Sequence, residues 1–157
     1  MELIPGLERL KYKKFELEFR KKIQEVLPKR VTAINEAPKE EAVPLLKSRE
    51  YYTNLASISP RSAILESWME VEAAGADAYA KLVSPGMKVW TNPREIFLFL
   101  SSKGLLDDDD FMRSEELRKL RNKAAHQVSL HELDESLVRK FVNLTLDLAT
   151  KIKKKTA

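Results

Sequence analysis

The chain contains no cysteine and only four glycines among its 157 residues, and each scarcity excludes a class of site. Without thiols it forms neither disulfides nor thiolate metal sites, which suits a reducing compartment. The glycines form no glycine-rich loop, so phosphate cradles of the P-loop or dinucleotide kind are excluded. We accordingly predict no cofactor.

Long apolar runs are also lacking. No run approaches the length of about 20 residues that spans a bilayer, so we predict no membrane segment in this chain. Residues 1–6 lack the basic region and long apolar stretch of a secretory signal. We expect a cytoplasmic protein, although a fragment of a longer, membrane-anchored chain would look the same. The composition, 43% hydrophobic and 33% charged, is typical of a soluble globular protein.

The charge is mildly basic, with a formal net charge of +4 and a cluster of lysines over residues 151–155. Basic clusters attract nucleic acid or anionic lipid. Lysines in a last helical turn also complement the helix dipole without any partner. The charge therefore supports an RNA partner only weakly.

The first part of the chain carries a mixed pattern. Between residues 10 and 19, apolar and charged residues alternate with one slip of phase, which predicts a short β-hairpin or one bulged strand. From Phe19 onward the apolar spacing becomes helical. Residues 28–59 hold prolines and a charged run, which indicates a connector with one helix around residues 45–55. We predict that residues 1–58 form a hairpin, helix and connector appended to the main domain.

The rest of the chain has the spacing of four helices. Ser59-Pro60 is an N-cap followed by proline in the first turn, and apolar residues then recur at steps of three and four. Asn92 gives a second helix start, and Gly104 is a natural residue for a helix end. The predicted helices cover 60–83, 93–103, 107–127 and 134–153. We predict a mainly α protein whose main domain, 59–153, is a four-helix up-down bundle with a basic tail at 154–157.

One short motif concentrates residues suited to chemistry: Arg121-Asn122-Lys123-Ala124-Ala125-His126, an R-N-x-x-x-H run. Arginine is a forked, permanently charged donor suited to phosphate, and histidine exchanges protons near neutral pH. At 100° per residue, the apolar positions around Leu117 define the core side of this helix, and His126 lies about 180° away. Spacing alone also fits an ordinary solvent-exposed helix face.

This motif, late in the third of four predicted helices, resembles that of the HEPN superfamily. The order of elements is similar as well, with a long first helix that begins Ser59-Pro60-Arg61-Ser62-Ala63-Ile64 and a closing helix after the motif. The likeness covers roughly residues 59–153. It implies a homodimer in which the motif helices of two subunits face each other across a cleft. Many members of the superfamily are ribonucleases that need no metal, and many others only bind.

The resemblance assigns the catalytic roles to Arg121, Asn122 and His126. Arg121 would grip the scissile phosphate, and His126 would act as general base or acid. Asn122, one turn before His126, would orient the imidazole or the phosphate. RNA carries its own nucleophile, the 2′-hydroxyl, so one histidine from each subunit would serve the two oxygens that exchange protons.

Auxiliary candidates are Arg118, Glu72 and Glu66. Glu72 lies near the apolar stripe of its helix, where a carboxylate needs a partner. We expect Arg118 or Arg121 to be that partner in a structural ion pair, and we favour this role over a catalytic one for either carboxylate. Trp68 and Trp90 are expected in the core or an interface, and His131, the other histidine, on the surface.

Three functions follow as alternatives. The first is a homodimeric endoribonuclease of toxin or defence type, which would need an antitoxin or another regulatory protein. The second is a non-catalytic module whose groove binds RNA, a nucleotide or a partner protein. The third treats the motif as structural, with Arg121 and Asn122 tying their helix to the second subunit.

Overall fold

The computed structural model describes residues 4–27, 45–84, 86, 92–126 and 133–157. Six helices lie within these ranges: α1 Ile4–Val26, α2 Arg49–Ile58, α3 Pro60–Leu82, α4 Pro93–Ser102, α5 Asp108–His126 and α6 Glu135–Thr156. The described residues contain no β-strand, so the mainly α prediction is confirmed. None of these helices is both long and apolar enough to cross a bilayer.

For α3 to α6, the predicted helix starts lie within one residue of those in the structure, and the predicted ends lie within three. The Ser59 hydroxyl accepts from the Ser62 amide at 3.3 Å at the start of α3. The Asn92 side chain accepts from the Arg94 amide at 3.0 Å and so begins α4. Past the end of α4, Gly104 has a φ of 74°, a backbone conformation that residues other than glycine rarely adopt. Helices α3 to α6 therefore follow from local capping.

The predicted N-terminal β-hairpin is wrong, because these residues form α1. Phe15, Phe19 and Ile23 recur every four residues and are all buried. The ring of Phe19 lies 5.8 Å from that of Phe141 in α6. Leu17, between the two phenylalanines, is 67% exposed. A strand would place Leu17 on the same face as the phenylalanines, whereas the burial follows the helical spacing.

Truncation of two neighbouring side chains tests this correction. Phe19→Ala is expected to lower the free energy of unfolding by about 3–5 kcal/mol, because a buried aromatic leaves a cavity. Leu17→Ala should change it by under about 0.5 kcal/mol, as an exposed substitution does. Urea denaturation of both variants measures the difference. Equal losses would show that both residues share one buried face and would restore the strand.

Helices α3 and α6 make the most extensive contact, and α2 packs on both. Helix α4 packs on α3, where an ideal Cβ built on Gly75 would lie 2.9 Å from the Phe97 ring. Glycine at this position therefore permits the close approach. The same ring meets buried Trp68 edge-on, with centroids 6.0 Å apart, which confirms the predicted core position of this tryptophan.

Two contacts give the directions of the main helices. Arg61, at the start of α3, donates to the Ala125 carbonyl at the end of α5. Asp110, at the start of α5, forms an ion pair with Lys151 near the end of α6. Helix α5 is therefore antiparallel to both α3 and α6. An alternating order would make α3 and α5 parallel, so the up-down arrangement is not confirmed. The domain boundary at residue 58 stays a prediction.

Candidate functional site

The motif helix α5 presents His126 to solvent. Leu117, Leu120 and Ala124 are buried and form its core side, while the side chain of His126 is exposed. The predicted orientation of the imidazole is thus confirmed. No described residue forms a hydrogen bond or ion pair with it. The ring is accordingly open to a ligand or to a second chain.

Arg121 differs from the other arginines of α5 in its partners. Its Nη1 donates to Asn122 Oδ1 at 3.2 Å, and its buried Nε has no acceptor among the described residues. Arg113 and Arg118 each meet a carboxylate, at 3.1 Å in both pairs. Arg121 meets only a neutral amide, so no carboxylate in the described part of the chain balances its charge. A guanidinium in this state is suited to an anion.

The ion pair predicted between Glu72 and Arg118 or Arg121 is wrong. Glu72 accepts from the indole N–H of Trp68, one turn earlier on α3, at 2.9 Å. Arg118 is held by Glu115, with contacts of 3.1 and 3.4 Å. Each group finds its partner on its own helix, where residues three or four positions apart are neighbours. Both residues therefore have structural partners and neither is assembled with His126.

Arg61 is a neighbour of the motif that the sequence did not reveal. It lies in the first turn of α3, and its Nη2 donates to the carbonyl of Ala125, beside His126. Carbonyls at the end of a helix carry partial negative charge and attract cations. The contact brings a second guanidinium to the motif. Sequence spacing gives no signal for it, because it depends on how α3 and α5 pack.

A second polar cluster surrounds Glu70, which is wholly buried in α3. Its carboxylate accepts from the amides of Leu46 and Lys47, each at 3.0 Å, and from the Tyr52 hydroxyl at 2.6 Å. Burial and this hydrogen bond raise the pKa of Tyr52 far above its usual range. Lys153 Nζ in α6 also lies 3.9 Å from this carboxylate. Because Glu70 joins the backbone before α2, a buried phenol and a lysine of α6, its role is structural.

Glu66 lies against α2 and not against the motif. Its Oε2 accepts from the Tyr51 hydroxyl at 2.7 Å, one turn before the Glu70 contact. The structure therefore does not bring this auxiliary candidate to Arg121.

A signal for the Glu70 cluster was present in the sequence, since small residues and Glu70 form one row along α3 at steps of three and four. This row is Ala63, Ser67, Glu70, Ala74 and Ala78, and all five are buried.

Two residues named from the sequence, Trp90 and His131, lie outside the described residues. Within the described ranges, no three histidine or acidic side chains are placed to hold a metal ion. No family model matches the chain, and neither does any curated protein or solved structure. The chemistry of the site therefore rests on the side chains of α5 and their neighbours.

Proposed function

We propose that this chain is a HEPN-like, metal-independent endoribonuclease of toxin or defence type that acts as a homodimer. The observation that carries the proposal is the combination on α5 of an exposed, unbonded imidazole at His126 with a guanidinium at Arg121 that no described carboxylate balances. The first is suited to move a proton, and the second to hold a phosphate. Arg61 adds a further cation at the same helix end.

The proposed reaction is transesterification within RNA. The neutral imidazole of His126 takes the proton of a 2′-hydroxyl, whose oxygen forms a bond to the adjacent phosphorus. The bond from phosphorus to the 5′-oxygen breaks, and this oxygen receives a proton from the protonated imidazole of the second subunit. The products are a 2′,3′-cyclic phosphate and a 5′-hydroxyl. Arg121 stabilises the charge on the phosphate oxygens, and Asn122 holds its guanidinium.

The outer face of α5 is the surface at which we expect a second copy of the chain to bind. Residues at steps of three and four along this face form one stripe, which is Met112, Glu115, Lys119, Asn122 and His126. Met112 is 64% exposed there and offers apolar contact area. Two copies that meet along this stripe would bring both imidazoles to one groove. An antitoxin or other regulatory protein would act by covering the same groove.

Purified wild-type protein tests the proposal. It is expected to cleave single-stranded RNA or transfer RNA in excess EDTA, with products that end in cyclic phosphate and 5′-hydroxyl. Fully 2′-O-methylated RNA of the same sequence should remain intact, because it lacks the nucleophile. Mass spectrometry of the products measures both results. RNA that is bound but never cut would select the non-catalytic binding module, and RNA that is neither bound nor cut would remove both functions.

A further inference from the structure

Helix α1 runs antiparallel to the motif helix. Glu18 of α1 forms an ion pair with Lys123 of α5. One turn later in α1, Lys22 lies 3.4 Å from Glu116, about two turns earlier in α5. The chain directions are therefore opposite, and residues before Glu18 lie beside the end of α5. Lys14 is one turn before Glu18, which places it near the height of His126.

Three lysines lie on the same side of α1 as Glu18, the residue that pairs with Lys123 of α5. Lys11, Lys14 and Lys21 are spaced around Glu18 at steps of three and four, which keeps them on one side of a helix. All three are exposed. Lys21 is ten positions after Lys11, which corresponds to about 15 Å of helix. At about 3.4 Å per phosphate of a stacked strand, this length matches about four phosphates.

The acidic side chains that the structure describes near these lysines pair with other residues. Glu18 pairs with Lys123, Glu25 with Lys22 at 3.3 Å, and Glu116 with both Lys22 and Lys119 at 3.4 Å. Within the described residues, Lys11, Lys14 and Lys21 have no ion-pair partner. A row of positive charge therefore runs along α1 toward the exposed imidazole.

The geometry points to a phosphate-binding track. We infer that Lys11, Lys14 and Lys21, here called the α1 lysine row, bind the backbone of single-stranded RNA and lead it to His126. This inference rests on the proposed function, since it names the surface that holds the substrate of that site. Lysines that contact phosphates bind by releasing counterions, so the affinity should depend steeply on salt.

An anionic membrane is a poorer match for the row. A helix that lies on a membrane inserts its apolar face between the lipids. The apolar face of α1 is already used, because Phe15, Phe19 and Ile23 are buried in the protein core. Among the side chains of this helix that the structure describes, Leu10 and Leu17 are the large apolar residues that are exposed. The exposed side of α1 therefore offers positive charge without a broad apolar face, and this charge is complementary to the phosphates of a single RNA strand.

The test compares two double variants on the same helix. Lys11→Gln with Lys14→Gln removes two members of the row, while Arg9→Gln with Lys13→Gln makes the same change of net charge about 140° around α1. The probe is a single-stranded 2′-O-methyl RNA, which binds without being cleaved. Fluorescence anisotropy over a salt series gives the dissociation constant and its salt slope for each protein. Circular dichroism confirms that both variants keep the wild-type helix content.

The row variant should bind about 14-fold more weakly at about 0.15 M salt, and its log–log salt slope should fall by about 1.4, since each phosphate contact on a single strand contributes about 0.7. The Arg9 and Lys13 variant should stay within about twofold of wild type. Equal weakening of both variants would overturn the inference, because only net charge would then matter. Binding to phosphatidylserine vesicles without binding to the RNA would overturn it as well.

Cleavage is scored separately, so that the two proposals can fail independently. If the wild-type protein cleaves RNA and the row variant binds RNA as tightly as wild type, the inference about the α1 lysine row is wrong and the nuclease proposal is unaffected. If the row variant binds RNA more weakly, the control variant does not, and the wild-type protein cleaves no RNA, the α1 lysine row is supported and the nuclease proposal is wrong.

Discussion

His126→Ala is expected to lower the rate of RNA cleavage by at least about 100-fold, because a positioned proton donor or acceptor contributes about 10²–10⁴-fold to such a reaction. In the proposed homodimer the loss is larger than for a single group, since one substitution removes both imidazoles. Single-turnover cleavage at saturating RNA measures the chemical step without the contribution of binding. The salt slope of binding should stay near that of wild type.

The matched control is His131→Ala, which changes the other of the two histidines. It should retain wild-type cleavage. Because the His126 side chain is exposed and bonded to no described residue, His126→Ala should also alter the free energy of unfolding by no more than about 0.5 kcal/mol. Full activity in His126→Ala would eliminate the proposed mechanism, and loss of activity through unfolding would appear as a fall in Tm.

Glu70→Ala is expected to lower the stability of the protein strongly. It leaves two backbone amides and the Tyr52 hydroxyl without their acceptor, and it removes the carboxylate that lies 3.9 Å from Lys153 Nζ. Each unsatisfied buried group costs about 1–3 kcal/mol, and loss of a buried charged partner typically costs about 3–5 kcal/mol in total. For a chain of this length such a loss lowers Tm by roughly 10 °C. Differential scanning calorimetry measures the shift.

Glu66→Ala provides a close comparison, since Glu66 is one turn away on α3 and also accepts from a tyrosine hydroxyl. That tyrosine, Tyr51, is exposed, and water can replace the lost acceptor. The expected cost is under about 1 kcal/mol. A Glu70→Ala variant no less stable than Glu66→Ala would mean that the residues before α2 hold their position without the buried carboxylate.

The helices α3 to α6 are predictable from sequence because local chemistry marks their ends. Capping side chains at Ser59 and Asn92 and a positive φ at Gly104 act within one turn, so no knowledge of the packing is needed. Helix α1 shows the opposite case. Its alternating pattern around Leu17 suggested a strand, and only the burial of Phe15 and Phe19 against other helices decides for the helical spacing.

The candidate site was predictable to a similar extent. The outward direction of His126 follows from the wheel of one helix, and the structure agrees. The partners of Arg121, Glu72 and Glu70 depend on which side chains meet in three dimensions. The sequence-based prediction therefore assigned the wrong partner to Glu72 and did not include Glu70. The catalytic assignment itself stays a prediction that the cleavage assays test.

The contact between Arg61 and the Ala125 carbonyl has a mechanical consequence for the site. A helix end normally frays, because its last carbonyls have no partner within the helix. Here the Arg61 side chain of α3 forms a hydrogen bond with the final turn of α5, so thermal opening of that turn requires this hydrogen bond to break first. A small displacement of the start of α3 would therefore also shift the last turn of α5 and change the position of the His126 imidazole.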